Sequence, residues 1–131
     1  MIHKNYNPVK IRRALVEEVK RLGLSKNVFP QNRPKTYDKM QDFVVVKVSS
    51  GVRDNNAYGD TTCRIELYVK CAQNGIENET KMEKMTEKIE EFNTKIGPYH
   101  FFADSIIPMG SDDYGFSMSA VIIPAIIERV N

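Results

Sequence analysis

Nothing in the sequence approaches the roughly eighteen consecutive apolar residues of a membrane-spanning helix. The longest candidate, Ala120 to Ile127, is short and interrupted by Pro124. The opening Met1-Ile2-His3-Lys4-Asn5 lacks the apolar stretch of a secretory signal, so a cytoplasmic location and no membrane partner are expected. An excess of one charge is missing too. Nineteen basic against seventeen acidic residues leave a net charge of +2, too little to announce nucleic acid or an anionic membrane, which a clustered basic patch would do.

Metal-binding and nucleophilic chemistry is equally under-supplied. There are two histidines, His3 near the start and His100 beside Phe101-Phe102, neither with a cysteine or carboxylate at zinc-ligand spacing. Cys63 and Cys71 fall in one expected strand about 26 Å apart, too far to pair if that strand is continuous, and read as core filler. No glycine-rich phosphate loop and no nucleophile elbow occurs. The expectation is therefore no catalytic residue, no metal ligand and no cofactor.

What is present is the patterning of one folded domain over residues 1–131: 41% hydrophobic, 27% charged, and a length that buries one core. Asn7-Pro8 can cap and open a helix in which Ile11, Leu15, Val19 and Leu22 form one stripe, stopped by Gly23, with Lys10, Arg13, Glu17, Lys20 and Arg21 on the solvated side. Phe43 to Ser49 is β-branched and apolar on both faces at its start, a central strand. After the turn-rich Gly51 to Asp60 comes a strand of period two, with Cys63, Ile65, Leu67, Val69 and Cys71 inward and Arg64, Glu66, Tyr68 and Lys70 outward. Met82, Met85, Ile89, Phe92 and Ile96 then predict a second helix, ended by Gly97-Pro98. Tyr99 to Ile107 and Gly115 to Ile123 are the last strands, joined by Pro108 to Tyr114. The sum is an α+β domain of order α-β-β-α-β-β, an antiparallel sheet of about four strands with two amphipathic helices packed on one face.

Between the first helix and the first of these strands, residues 28–42 lose all periodicity, carry Pro30 and Pro34, and read as a long loop or extended arm. One reading packs Phe29 and Tyr37 onto the core as a surface connection. The other makes it a contact arm, with Arg33, Lys35 and Lys39 around Tyr37. The remaining contact candidates lie in the other two loops: Arg53 and Tyr58 in one, Asp112, Asp113 and Tyr114 in the other. Asp54 and Asp60 in the first loop could join Asp112 and Asp113 to hold Mg²⁺ if the loops met, giving a small metal-dependent nuclease or hydrolase. The competing explanation is ordinary turn chemistry, in which Asp bonds the local backbone. A third possibility is a small nucleic-acid-binding module that reads phosphates with the arm cations.

The succession of a basic amphipathic first helix, a proline-bearing loop, a long hairpin ending in the strand "IELYVKC", a helix of about 18 residues and two closing strands resembles the tail terminator or tail completion proteins of tailed bacteriophages. The likeness spans nearly the whole chain and is one of element order rather than of a short motif. It implies a homo-oligomeric ring, commonly a hexamer, that caps the tail tube and joins it to the head connector, with no reaction and no cofactor. It implies assembly in the cytoplasm of a bacterial host and residence in the virion. Passing DNA would then meet cations in the lumen, for which Arg33, Lys35, Lys39 and Arg53 are the candidates.

Overall fold

The structure, a computed structural model, describes residues 1–35 and 40–129. A short 3-10 turn (Lys4–Tyr6) precedes helix α1 (Pro8–Leu22). Strands β1 (Val28–Pro30), β2 (Asp42–Val48), β3 (Arg53–Asp54) and β4 (Tyr58–Lys70) follow, then helix α2 (Glu79–Glu87). The chain closes with β5 (Asn93–Ile96), β6 (Tyr99–Phe102), β7 (Ser105–Ser111) and β8 (Phe116–Glu128). The class is α+β as expected, but the sheet has eight strands rather than about four, and it curls into a half-barrel. Its order is β1-β2-β4-β8-β6-β5, with β3 added to β4 and β7 to β8. It is mixed, because β1 runs parallel to β2.

Helix α1 forms where its capping residues place it. The Asn7 side chain accepts the Val9 N–H at 3.0 Å, Pro8 takes a position whose N–H has no helical partner, and Gly23 closes the helix at φ +66°. Ile11, Leu15 and Val19 are fully buried against Val44 and Val46 of β2 and the inward residues of β4. Met82 and Met85 of α2 join the same core, so both helices cover one face of the sheet. Each fully buried aliphatic side chain contributes about 1.5–3 kcal/mol.

The second helix is half the expected length. It ends at Glu87, although Ile89 and Phe92 remain buried where the helical stripe would place them. Past Lys88 the backbone tightens into turns, with Ile89 and Glu90 N–H groups both on the Thr86 carbonyl. The reason is Gly97-Pro98, which is a hairpin turn and not a helix stop. Ile96 pairs with Tyr99 across it, and Gly97 at φ +54° meets the demand of a primed turn for a positive φ at its first central residue. Asn93, Thr94 and Ile96, weak helix formers, go into β5 instead.

Strand β8 is longer than expected and passes straight through Pro124. The Asp104 and Glu128 N–H groups bond the Ile122 and Pro98 carbonyls. The even-numbered residues of β8 therefore direct their backbone groups to the β6–β7 side. The N–H that Pro124 lacks would point at the join where β6 ends and β7 begins, so no ladder bond is lost.

Cys63 is buried and Cys71, just past the end of β4, is partly exposed; both are free thiols. Burial pushes the Cys63 thiol up to about 12. Iodoacetamide at mildly alkaline pH is expected to modify one thiol of the native protein and two after denaturation, as counted by intact mass.

A close contact fixes the start of the chain. A Cβ on Gly59 would stand 2.6 Å from Tyr6 Cε1 and 2.8 Å from Cζ, and the buried Tyr6 ring also reaches Asp54 Oδ1 with its hydroxyl at 3.3 Å. Gly59→Ala is expected to displace the ring and cost about 1–3 kcal/mol. Urea denaturation should show that cost shrinking in a Tyr6→Ala background, the signature of two residues in contact.

Candidate functional site

Strand β4 was expected to turn Arg64, Glu66, Tyr68 and Lys70 to solvent, and here the structure corrects the sequence reading. Glu66 is 3% and Tyr68 6% exposed, because this face carries a second core of Met40, Phe43, Val45, Tyr68 and Phe116. Phe43 and Tyr68 are register partners on adjacent strands and stack at 4.3 Å, with Phe116 edge-on to Phe43 at 5.2 Å. The arm closes over this layer. Phe29 packs edge-on to Phe43 at 6.3 Å, and Met40 is buried at the far end. Two of the expected arm contacts, Tyr37 and Lys39, lie outside the described residues.

Arg33 locks the arm down. Its guanidinium carbon lies 4.6 Å from the centre of the Tyr114 ring, 5.0 Å from Tyr68, 5.4 Å from Phe43 and 5.7 Å from Phe116. Arg33 Nη1 also donates to the Asp112 carboxylate, while Nη2 is buried with no hydrogen-bond partner. Asp112 is held from its own turn as well, accepting the Tyr114 N–H at 2.8 Å and the Phe116 N–H at 3.0 Å. Burial alone would raise its carboxyl, but the two amides and the guanidinium outweigh burial and hold it below the ordinary value. Arg33, Asp112 and Tyr114 are thus brought together as one clamp on the aromatic layer. Asp113 and Lys35 stay exposed beside it.

A second group of charges, not foreseen from the sequence, sits further along the same face. Glu66 receives the Tyr68 hydroxyl at 3.0 Å and faces Lys47 Nζ at 3.2 Å and Arg64 Nε at 3.0 Å. Arg64 Nε is buried and makes no hydrogen bond, so its contact is one of charge alone. Burial and the neighbouring Glu66 push the Tyr68 phenol up to about 12, which keeps it a donor to that carboxylate. The only hint in the sequence is a carboxylate between a cation and a tyrosine on alternate positions of a strand.

The loop aspartates do not converge. Asp54 and Asp60 lie at the start of β4, where Asp60 pairs with Arg53 at 3.0 Å and accepts from Asn55, and Asp54 pairs with Arg129 at 3.1 Å. Asp112 and Asp113 lie beyond the other end of that strand, about ten residues of strand or roughly 30 Å along the sheet. The Mg²⁺ site that required the two loops to meet is not formed, and no group of three or more His, Cys, Asp or Glu suited to a metal occurs among the described residues. The lumen candidates separate for the same reason, since Arg53 and the exposed Tyr58 stand at the far end of β4 from Arg33. His3 caps the first turn through Nδ1 to the Asn5 N–H, and His100 Nε2 pairs with Asn93.

Strand β7 is paired on one side only among the described residues. All seven of its residues are exposed, among them Ile106, Ile107 at 44% and Met109 at 50%. It is bonded to β8 along one side and forms an edge of the sheet. Ile106 shares the face of Val121 and Ile107 that of Ala120, so apolar side chains project on both sides of one ridge. Pro108 to Ser111, expected as the start of a loop, belong to this strand. Pro108 lies opposite Ser119, one of the residues whose backbone groups point to β4, so its missing N–H falls on the free side.

Compared with known proteins, the chain matches no family model and no curated protein sequence. Among the described residues no helix is long and apolar enough to cross a membrane.

Proposed function

We propose that this chain is a structural assembly protein of the phage tail terminator or tail completion kind. Its copies join into a ring that caps a tail tube and presents a surface to the head connector. It would assemble in the cytoplasm of a bacterial host and remain in the virion. The observation that carries this reading is the ridge of β7, where Ile106 on one face, Ile107 on the other and Met109 at the register shift between Pro108 and Gly110 stand exposed along one sheet edge. Exposed apolar side chains gathered on one edge suit a contact with another protein chain. An edge blunted by a proline, by contrast, discourages the open-ended strand pairing that produces aggregates.

The clamped arm supports the same role. Arg33 fastens the arm against the sheet and leaves Lys35 exposed on it. That geometry gives a ring subunit a shaped surface and gives passing DNA a cation to meet without a sequence-specific contact. Negative-stain imaging of the purified chain, alone and mixed with tail tubes, tests the proposal. Closed rings of one diameter, seated on tube ends, are expected. Featureless particles of a single chain and bare tube ends would refute it.

A further inference from the structure

The ring reading leaves open which surfaces meet, and on that reading we infer that the β7 ridge of one copy seats in the groove between α1 and β1 of the next. The groove lies at the opposite edge of the sheet. It is lined by Val9, Arg12, Arg13, Val16 and Pro30 and encloses about 190 Å³. Val9 is 44% exposed although it occupies the first turn of an otherwise well-packed helix, and Pro30 is exposed at the end of β1. An apolar hollow therefore faces outward at one edge, and an apolar ridge projects at the other.

Charge matches as shape does. The groove carries Arg12 and Arg13, Arg12 being held in place by donating to Gln31 Oε1 at 3.3 Å. Gln31 keeps this position with its backbone at φ +65° and its N–H on the Val46 carbonyl at 2.7 Å, so the groove wall is fixed before any partner arrives. The ridge carries exposed Asp104 just before β7 and exposed Asp113 in the turn after it, at opposite ends of the strand. Arg12 and Arg13 lie between Val9 and Val16 on the groove face of α1, so seating Ile107 and Met109 beside Val9 and Val16 sets one of these aspartates, Asp113, toward Arg13.

Two different patches at opposite edges of one sheet cannot form a self-complementary pair. Such a contact is head-to-tail, and repeating it closes a ring or extends a filament. The contact also gives Pro108 a purpose: with its free-side donor gone, the ridge meets its neighbour through side chains rather than by adding a strand.

Mixing complementary variants tests the pairing. Ile107→Glu/Met109→Glu spoils the ridge and Val9→Glu/Arg13→Glu spoils the groove; all four positions are exposed, and circular dichroism confirms each variant is folded. Each variant alone should remain a single chain. Mixed in equal amounts, the intact groove of the first should accept the intact ridge of the second and give a complex of two chains and nothing larger by sedimentation velocity. In a second arm, Asp113→Arg should raise the concentration for half-assembly by about tenfold, and adding Arg13→Asp should bring it back. A wild-type chain that assembles while the mixture stays monomeric would overturn this pairing and leave the assembly reading standing. A wild-type chain that never assembles would remove both.

Discussion

Glu66→Ala is expected to destabilise the protein by about 3–5 kcal/mol, the range for removing one partner from a buried ion pair. The carboxylate is almost fully buried and faces Lys47, Arg64 and the Tyr68 hydroxyl. Without it two cations lie side by side, since Lys47 and Arg64 are direct register partners, and the Tyr68 donor loses its acceptor. Their side chains are 31% and 28% exposed, so both can rehydrate in part, which places the cost toward the lower end. A loss of this size is a large fraction of the roughly 5–15 kcal/mol by which a domain is stable. Urea denaturation should show the midpoint falling with an unchanged slope. Replacing the three charges together by Lys47→Met, Arg64→Leu and Glu66→Met should cost far less, because no charge is then left unpaired.

The second large effect concerns the clamp. Asp112→Ala removes the partner of the Arg33 guanidinium and the acceptor for the Tyr114 and Phe116 N–H groups, and is expected to cost about 3 kcal/mol. Arg33→Lys should behave much like Arg33→Ala, since an ammonium cannot lie flat among four rings while pairing with a carboxylate. The pH dependence has a definite sign. The Asp112 carboxyl titrates lower in the folded protein than in the unfolded chain. Its stabilisation is therefore complete above the unfolded value of about 3.9 and disappears as pH falls through the lower folded value. The stability gap between wild type and Asp112→Asn should narrow steadily as the solution is acidified through that window, and limited proteolysis should begin to cut the arm there.

How far the fold could be read in advance depended on whether its cause was local. Asn7, Pro8 and Gly23 act within a few residues, and α1 begins and ends where they predict. The apolar faces of β2 and the inward face of β4 were equally legible, because period-two burial follows from strand geometry. The second helix was misread because Ile89 and Phe92 keep a helical spacing while serving as the buried side of turns, and because Gly97-Pro98 suits a hairpin as well as a helix stop. The outward face of β4 departs from expectation for a non-local reason: Tyr68 is covered by Phe43 of β2 and Arg33 of the arm, within a layer that Met40 and Phe116 complete, and Glu66 is enclosed by Lys47, Arg64 and Tyr68.

The clamp shows the same limit. Arg33 and Asp112 are 79 residues apart, and nothing within either loop says that they meet. Both are contact candidates in the sequence, and the structure pairs them with each other. Ile106 and Ile107 fall in an expected strand, and only the sheet order reveals that among the described residues this strand has no neighbour on one side.

On the proposed function, β7 is a surface for assembly between copies of the chain. Native mass spectrometry across a concentration series tests it most directly, comparing the wild type with Ile107→Glu/Met109→Glu. The wild type should appear at one fixed multiple of the 15.0 kDa chain mass, and the variant at the single-chain mass with an unchanged circular dichroism spectrum. A wild type that stays at 15.0 kDa at every concentration, or a variant that assembles as the wild type does, would contradict the account.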